Sequence, residues 1–400
     1  MSDKPAVLGG TPIFDTKLNI VRPVLPAFEE MRPEIEEIFK TGMVTKGRHV
    51  AKFEQLLAAH LGVRHAVAVS SCTLGLMLTY QGLGLTGEVV VPSFTFMASV
   101  SSLVWAGLTP VFADVNFDST NLDPSAAEAA ITPRTSAIVA VHNFGNPAYI
   151  DELAEIANRH GLKLIFDAAH GFGALYKGVP VGSQGDAQVY SLSPTKLLIA
   201  GEGGIVATNS DGLAEKIRVG REYGNDGKYG SEFAGLNARM PELSALLGIH
   251  SLASLEKAAI HRNHVADRYQ RELTELNGLS FQKIEAGNRS SYREYSIMID
   301  EEAFGVSRDM LSLSMTAENI DTRKYYDPPT HRHQAYRGFA QPDSDLKNTE
   351  RLSAHSLSLP MWSDMSDEIV SGICSALRRT QEFAPEVNKA LGSQLANSAA

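Results

Sequence analysis

The chain of 400 residues has only two cysteines and an excess of negative charge. The two thiols, Cys72 and Cys374, are too few for a disulfide framework or a zinc cluster, and they suit a reducing cytosol. The net charge of −10 argues against nucleic-acid binding, because neutralising phosphates takes a clustered basic surface. We therefore expect no metal site and no nucleic-acid partner.

The sequence also lacks long apolar runs. It contains no stretch of about 18 uninterrupted apolar residues, the length that spans a membrane. The N-terminus, MSDKPAVLGG, does not have the basic-then-apolar order of a signal peptide. The hydrophobic fraction of 44% and the charged fraction of 20% are typical of a soluble globular protein. We expect a cytoplasmic protein that does not contact the membrane.

Short β-rich runs alternate with helical patterns in the first half of the chain. The runs are 66–70, 88–94, 109–115, 136–144, 162–169, 187–193 and 204–209. Helical spacing of apolar residues is found at 28–41, about 50–61 and 151–161. Strands that are apolar throughout and alternate with helices indicate a mostly parallel sheet that is covered on both faces. The pattern predicts the α/β class with seven strands.

The pattern changes after the last of these runs. Residues 240–271 read as a long helix, and the alternation weakens after about 280. We predict a large catalytic domain at 20–255 and a smaller C-terminal α+β domain at 256–384. The polar, Ala-rich residues 385–400 predict a disordered tail.

Candidate chemistry follows several of the predicted strands, and parallel sheets bind ligands beyond the carboxyl ends of their strands. Lys196 lies in SLSPTK; a desolvated lysine has a lowered pKa and can attack an aldehyde, although a surface lysine in a turn would look the same. Asp167 ends an apolar run, where a carboxylate needs a cationic partner. A protonated pyridine nitrogen is one such partner. A helix cap or a structural salt bridge are the alternatives.

Two further places complete this set. The segment SSCT (70–73) opens a predicted helix, whose free N–H groups and hydroxyls suit a phosphate. Simple capping by Ser71 or Thr73 would give the same sequence. The segment PSFTF (92–96) offers an aromatic ring that could lie on a cofactor, although aromatics in strands are more often core residues. The order of phosphate loop, aromatic, aspartate and lysine favours a single cofactor site.

Together these motifs resemble the StrS/DegT-type family of pyridoxal-phosphate (PLP)-dependent sugar aminotransferases. The resemblance covers about residues 20 to 375 and implies the aspartate-aminotransferase-like fold, PLP fold type I. It rests on GMVTKG (42–47), AVAVSSCTLGL (66–76), VVVPSFTFMAS (89–99), VHNFGNP (141–147), IFDAAHGFGA (165–174), SLSPTKLLIAGEGG (191–204), GLNARMPELSA (235–245) and LSLP (357–360).

The resemblance assigns the catalytic residues. It implies that Lys196 forms the Schiff base with PLP and moves the proton between substrate and cofactor. It implies that Asp167 pairs with the pyridine nitrogen and that His170 lies near the ring and its phenolic oxygen. Some relatives carry histidine in place of the lysine and catalyse dehydration, so the presence of Lys196 favours transamination.

The resemblance also assigns the residues that hold the cofactor. It implies that Ser191, Cys72 and Thr73 hold the phosphate and that Phe96 stacks on the ring. Asn237 would reach the phosphate of a neighbouring subunit, so that a homodimer shares its active sites. One departure stands out, because Ser71-Cys72-Thr73 replaces the common Asn-Gly-Thr of the family.

The implied reaction moves an amino group from an amino acid, glutamate by preference, to a keto-deoxy sugar on a nucleotide, and PLP passes through its pyridoxamine form. A dTDP-4-keto-6-deoxyhexose is the expected acceptor. Three alternatives stay open: a cyclitol ketone as acceptor, suggested by AVLGGTP (6–12); a PLP-binding regulator without turnover; and sulfur removal from cysteine. The candidate substrate residues are Arg239, Tyr325, Tyr326, His331, His333 and Trp362.

Overall fold

A seven-stranded sheet forms the centre of the computed structural model, which describes residues 4–225, 227–341 and 345–398. Its strands are β1 (His65–Val69), β2 (Glu88–Pro92), β3 (Thr109–Ala113), β4 (Thr135–Val141), β5 (Lys163–Asp167), β8 (Ala187–Ser191) and β9 (Gly204–Thr208). A small hairpin, β6 (Leu175–Tyr176) and β7 (Val179–Pro180), lies between β5 and β8. All seven predicted runs are strands of this one sheet.

The strand order is β1-β9-β8-β5-β4-β2-β3. The five strands from β3 to β8 are parallel, and β9 runs antiparallel to both of its neighbours. The parallel arrangement brings the carboxyl ends of β2, β4, β5 and β8 to one edge of the sheet. This edge is where the sequence placed its candidate residues.

Helices cover both faces of the sheet, which explains why the strands are apolar throughout. The large-domain helices are α1 (Phe28–Thr41), α2 (Arg48–Leu61), α3 (Cys72–Gly82), α4 (Met97–Trp105), α5 (Pro124–Ala129), α6 (Ile150–His160), α7 (Asp211–Gly220) and α8 (Glu242–Leu273). Alternate residues of a strand join different cores: Val89 and Val91 pack with residues of α3 and α4, whereas Val90 packs with residues of α6.

A buried carboxylate joins the first turns of two helices. Glu242, at the start of α8, accepts hydrogen bonds from the backbone N–H groups of Gly47, His49 and Val50 at 2.9, 2.9 and 3.0 Å. These are the N–H groups that the first turn of α2 leaves without helical partners. The side chain of α8 therefore caps α2 and fixes how the two helices meet.

The second layer of the molecule is an antiparallel sheet of three strands, β10 (Leu279–Phe281), β11 (Tyr295–Ile299) and β12 (Ser356–Leu359). It packs with α9 (Glu301–Phe304), α10 (Arg308–Ala317), α11 (Lys347–His355), α12 (Asp367–Glu382) and α13 (Ala384–Ser398). This mixture of helices and antiparallel strands is the α+β type that the sequence predicts for the C-terminal part.

The helix α8 continues through the predicted domain boundary at residue 255. Its Leu255 belongs to the core beside α2, whereas its Tyr269 and Leu273 belong to the core of the C-terminal part. The division into 20–255 and 256–384 stays a prediction, but the residues on either side of it share one helix.

The two ends of the chain pack on the C-terminal part. The prediction of a disordered tail at 385–400 is wrong for the described residues, because α13 forms there and buries Val387 and Leu391. Its polar composition conceals these two apolar contacts, and residues 399–400 lie outside the described residues. At the other end, buried Glu318 accepts hydrogen bonds from the backbone N–H groups of Ala6 and Ile13, both at 2.8 Å.

Among the described residues, α8 is the one helix long and apolar enough to cross a membrane by length and composition. Such a helix is weak evidence for a membrane span, since core helices pass the same test. It contributes buried residues to two cores and carries the buried charges of Glu242 and Arg262.

The contact between α2 and α8 yields a stability prediction. A Cβ atom on Gly248 of α8 would lie 2.5 Å from Cζ of Phe53, which is fully buried on α2. We expect Gly248→Ala to lower the free energy of unfolding by about 1–3 kcal/mol through overpacking, although alanine favours helix by about 1 kcal/mol. Urea unfolding followed by circular dichroism measures this change.

Gly212→Ala in α7 is the matched control, because a Cβ there meets open space. We expect this control to unfold at the same urea concentration as the wild type or a higher one. A Gly248→Ala protein as stable as the control would show that Phe53 moves aside at little cost.

Candidate active site

A cavity of about 380 Å³ lies at the carboxyl edge of the parallel strands. It brings together seven predicted cofactor residues: Cys72, Thr73, Phe96, Asp167, His170, Ser191 and Lys196. A larger cleft of about 810 Å³ lies beside Phe117 and Arg351 in the C-terminal part. That cleft includes none of the last residues of the parallel strands and none of the predicted residues, so the chemistry points to the smaller cavity.

Asp167 is the last residue of β5 and is buried. Its Oδ2 accepts a hydrogen bond from the Ser99 hydroxyl at 2.7 Å, and its Oδ1 accepts one from the backbone N–H of Ala169 at 3.1 Å. Burial raises the pKa of this carboxyl, and the bond from Ser99 acts in the opposite direction. Within the described chain no lysine, arginine or histidine forms an ion pair with Asp167, so the carboxylate is suited to a cationic ligand group.

Lys196 follows β8 in a turn closed by its own N–H, which donates to the carbonyl of Ser193 at 3.0 Å. The side chain is half-buried and lines the cavity, which disfavours the surface-lysine alternative. Burial lowers the pKa of its amine to about 8, assisted by the positive charge of Arg293. About a tenth of the amine is therefore unprotonated at pH 7, far more than for an ordinary lysine, and this form can act as a nucleophile.

His170 carries a ring nitrogen that lacks a partner. Its Nδ1 is buried and has no hydrogen-bond partner among the described residues. Burial, together with the positive charges of Lys196 and Arg293, holds the pKa of His170 well below its usual value. The backbone carbonyl of His170 accepts a hydrogen bond from the Ser291 hydroxyl at 2.7 Å, which fixes its position. A neutral imidazole is thus available to a ligand.

The first turn of α3 opens toward the same cavity. Ser71 caps the helix by accepting a hydrogen bond from the N–H of Leu74 at 3.2 Å, so the capping interpretation holds for this residue. Gly204 lets β9 approach closely, because a Cβ there would lie 2.6 Å from the backbone nitrogen of Cys72. The N–H groups at the start of α3 and the hydroxyls of Thr73 and Ser191 suit a phosphate.

The thiol of Cys72 points away from this phosphate position. Its Sγ lies 3.4 Å from the carbonyl oxygen of Val189 and 3.8 Å from Oδ1 of Asp167. Burial and the neighbouring carboxylate raise the pKa of the thiol well above its usual range. Where the family commonly has glycine, this chain therefore places a neutral thiol against Asp167, and only the backbone of Cys72 can contact a phosphate.

The remaining predicted residues fall into two groups. Tyr325 and Tyr326 line the cavity, whereas Asn237, Arg239 and His331 do not. Arg239 lies over the ring of Tyr223 at 5.5 Å and donates to the side-chain oxygen of exposed Asn237 at 3.3 Å. In this chain their predicted roles rest on a second subunit or on a longer substrate.

The histidines and the tryptophan proposed for substrate binding have other contacts. His331 bonds through Nδ1 to Ser93 at 2.7 Å and through Nε2 to Glu350 at 2.8 Å, so it ties the end of β2 to α11. His333 bonds to a backbone carbonyl, and Trp362 is buried in the core of the C-terminal part. Sequence alone could not separate such structural links from ligand contacts.

Several residues of the cavity were not expected from the sequence, among them Ser99, Arg293 and Glu294. Arg293 and Glu294 are buried charged neighbours directly before the apolar strand β11. That juxtaposition of charge and apolar strand is the signal that could have found them. Ser99 carries no such signal, since a serine inside a helix is common.

These residues fit PLP. The buried carboxylate of Asp167 suits a pyridinium, the ring of His170 belongs to the same cavity lining, and the lowered pKa of Lys196 suits binding to an aldehyde. The start of α3 offers a phosphate site at the other end of the group.

The sequence profile described as the DegT/DnrJ/EryC1/StrS aminotransferase family matches residues 27–378. The spore coat polysaccharide biosynthesis protein SpsC of Bacillus subtilis is 36% identical, over 86% of this chain and 92% of its own. The dTDP-3-amino-3,4,6-trideoxy-alpha-D-glucose transaminase of Streptomyces venezuelae is 34% identical, over 91% of this chain and 96% of its own.

Solved structures give the same result. The crystal structure of DesI in the presence of its TDP-sugar product superposes with a TM-score of 0.91 at 38% sequence identity. The match covers 97% of this chain and 98% of that one. A similarity of this extent covers the sheet, the cavity and the C-terminal part together.

The lowered pKa of Lys196 predicts its pH-dependent reactivity. In protein freed of any bound aldehyde, the acylation rate of Lys196 should be half-maximal at about pH 8, because only the unprotonated amine reacts. Ordinary lysines, with a pKa of about 10.4, should still be gaining reactivity well above that pH. Peptide mass spectrometry after timed labelling measures the rate at each lysine.

Exposed Lys347, paired with Asp345, serves as the internal control on the same sample. A pH profile for Lys196 that coincides with that of exposed lysines would contradict the desolvated environment described above.

Proposed function

Because the chain belongs to the DegT/DnrJ/EryC1/StrS aminotransferase family, we propose that it transfers an amino group from glutamate to a keto-deoxy sugar linked to a nucleotide. A PLP-dependent sugar aminotransferase is the activity that the family and the named relatives support. The preferred acceptor is a dTDP-4-keto-6-deoxyhexose. The names of the Streptomyces transaminase and of the DesI complex, which both refer to sugars on thymidine nucleotides, support this choice.

One observation carries the proposal: Lys196 and Asp167 meet in a single cavity, and the lysine amine has a pKa of about 8. When bound, PLP supplies an aldehyde that takes up the amino group and a ring that withdraws electrons from the reacting carbon. Asp167, held by Ser99 and Ala169, stabilises positive charge on the ring nitrogen. Lys196 would therefore act at the aldehyde of the cofactor, and Asp167 at its ring nitrogen.

Lys196 has two tasks in this arrangement. Its unprotonated Nζ would bind the cofactor, and once released the same Nζ would move a proton between the substrate carbon and the cofactor carbon that carries the amino group. Aromatic side chains of Phe96, Tyr325 and Tyr326 line the space around it and limit the access of water. The residues therefore bind, orient and move one proton, while the electronic work falls to the cofactor.

The rival functions lose support at particular residues. The segment AVLGGTP, which suggested a cyclitol acceptor, packs around Glu318 in the C-terminal part and does not line the cavity. Sulfur removal needs a nucleophilic thiolate. Burial raises the pKa of Cys374 to about 12, and burial also raises the pKa of Cys72 well above its usual range. A PLP-binding regulator without turnover would also need Lys196, so this residue does not exclude it; the transaminase names of the relatives favour the enzyme.

A homodimer in the cytoplasm is part of the same proposal. Large apolar side chains are exposed on α1 and the turn after it, among them Phe39 at 70% exposure, together with Phe28, Met43 and Val44. Such a patch is typical of a protein–protein interface. Exposed Asn237 is then free to reach the phosphate site of the second subunit, as the family resemblance implies.

The absorbance spectrum of the purified protein tests the donor half of the reaction. Bound PLP should give a visible band that glutamate converts to a near-ultraviolet band. Lys196→Ala should abolish both the conversion and turnover, by at least about 1,000-fold, because the amine is both ligand and proton carrier. A Lys196→Ala protein with substantial turnover would contradict the assignment.

An acceptor panel tests the other half. Protein loaded with aminated cofactor should react with dTDP-4-keto-6-deoxyglucose and regain the visible band, and it should ignore a keto-cyclitol. Reaction with the cyclitol alone would replace the sugar proposal by its rival while keeping the PLP site.

The hydroxyl of Ser99 yields a pH prediction. Its hydrogen bond lowers the pKa of Asp167, so Ser99→Ala should raise that pKa and keep the carboxyl protonated to a higher pH. We expect the acidic limb of the kcat/KM profile to move up by about one pH unit, the shift given by one lost charge-assisted hydrogen bond. Ser101→Ala, which loses only a 3.4 Å bond to a backbone carbonyl, should leave the limb in place.

A further inference from the structure

Arg293 and Glu294 form an ion pair inside the cavity. They are consecutive residues at 6% and 4% exposure, directly before β11, and both line the cavity that holds Lys196. Burying two charges is expensive, and a buried ion pair is often no more stable than well-packed apolar residues. The pair is therefore better explained by what it does for a ligand than by what it adds to the fold.

The guanidinium of Arg293 has donor capacity to spare. Its Nη1 bonds to Glu294, whereas its Nε is buried without an acceptor among the described residues. A buried donor without a partner costs about 1–3 kcal/mol. The backbone N–H of Arg293 donates to the carbonyl of Phe144 at 2.9 Å, which holds the residue in place. A ligand acceptor that reached Nε would remove this cost.

The charges of the pair act on the reacting groups. Arg293 lowers the pKa of Lys196 and of His170, and Glu294 raises the pKa of Lys196. The guanidinium is thus close enough to influence the amine that moves the substrate proton. In an α-amino acid, the α-carboxylate is attached to the very carbon that loses this proton, so a carboxylate held by Arg293 lies next to the reaction.

The two substrates differ in charge at this position. An amino-acid donor brings a carboxylate, whereas the ring of a keto-deoxy sugar brings only hydroxyl and keto groups. The side chain of an arginine carries a positive charge and five N–H donors but no acceptor. Without Glu294, Arg293 would be an uncompensated buried charge when the sugar is bound. If Arg293 were always paired with Glu294, it could not bind the carboxylate of the donor. A side chain that alternates between two carboxylate partners meets both needs.

We propose that Arg293 binds the α-carboxylate of the amino-acid donor, and that Glu294 pairs with the guanidinium again when the uncharged sugar ring occupies the cavity. This rests on the proposed function, because it assumes an amino-acid donor and a sugar acceptor in turn. Arg293 is then a specificity-determining residue for the first substrate, and Glu294 is its counter-ion for the second.

The two half-reactions of the PLP-loaded protein test the assignment. Arg293→Gln should raise the glutamate concentration for half-maximal rate by about 10- to 100-fold, the loss of a charge-assisted bidentate contact. The same variant, loaded with aminated cofactor, should lose less of its rate with dTDP-4-keto-6-deoxyglucose than with glutamate, because the sugar ring brings no carboxylate to this position. Arg323→Gln, which removes an exposed arginine outside the cavity, is the matched control and should change neither value.

The donor analogue 4-aminobutyrate identifies which carboxylate is bound, because it lacks the α-carboxylate and keeps the distal one. Arg293→Gln should raise the half-maximal concentration of glutamate strongly and that of 4-aminobutyrate little. The preference of the protein for glutamate over 4-aminobutyrate should therefore be smaller in the variant than in the wild type. Equal losses for both amines would mean that Arg293 binds the distal carboxylate, and would overturn the proposal.

A binding measurement gives a readout that needs no turnover. The PLP-loaded protein should bind 2-oxoglutarate without reacting, and calorimetry should show weaker binding for Arg293→Gln. Glu294→Gln should bind 2-oxoglutarate more tightly than the wild type, since the guanidinium has lost its competing partner, and should slow the sugar half-reaction. This second variant keeps the test decisive if Arg293→Gln does not fold. Unchanged or weaker binding by Glu294→Gln would refute the exchange of partners.

The outcomes distinguish a failure of the role proposed for Arg293 from a failure of the proposed function. A wild-type protein that holds PLP but reacts with no α-amino acid would end the proposed function and this assignment with it. A wild-type protein that reacts with glutamate, beside an Arg293→Gln protein that binds it equally well, would overturn only the role of Arg293.

Discussion

A carboxylate at the end of an apolar strand is the constraint on which the site depends. Asp167 closes β5 among buried residues, and its charge is unfavourable there unless something compensates it. The chain supplies two clear hydrogen bonds, from Ser99 and Ala169, and no ion pair among its described residues. The negative charge is thus only partly compensated by the described residues, and the cationic ring nitrogen of the proposed cofactor would complete the compensation. The lysine beside it is the reverse case, an amine made less basic by the same burial.

The sheet converts sequence order into spatial proximity. The cavity is lined by residues that lie far apart in the chain, such as Cys72 and Lys196. They come from the ends of β5 and β8 and from the first turns of α3 and α4. This happens because parallel strands all end at the same edge. The C-terminal part then adds Arg293, Glu294 and the two tyrosines from the open side. The cofactor end of the site belongs to the sheet, and the substrate end is shared.

What could be predicted from sequence followed from strong local patterns. The seven strands were recognisable because burial on both faces leaves them apolar throughout, and Asp167 and Lys196 stood out because a charge after such a run is unusual. Arg293 and Glu294 were missed because their segment has no regular periodicity and their burial depends on contacts with the distant Phe144 loop. The tail prediction failed because a few apolar residues in a polar helix suffice for docking. The prediction that His331 contacts the substrate stays a prediction, because sequence does not distinguish a ligand contact from the link that His331 makes between β2 and α11.

The shared helix α8 has a consequence for the molecule as a whole. Its first half completes the core beside α2, and its second half completes the core of the C-terminal part. Loss of either core would remove apolar contacts from the same helix, α8. We therefore expect the two parts to unfold in one cooperative transition and not one after the other. A chain divided at residue 255 would leave each fragment with part of α8 and an incomplete hydrophobic core. We therefore expect chimaeras of two relatives to fold only when the crossover lies outside this helix. The two parts of the enzyme are then not exchangeable at residue 255.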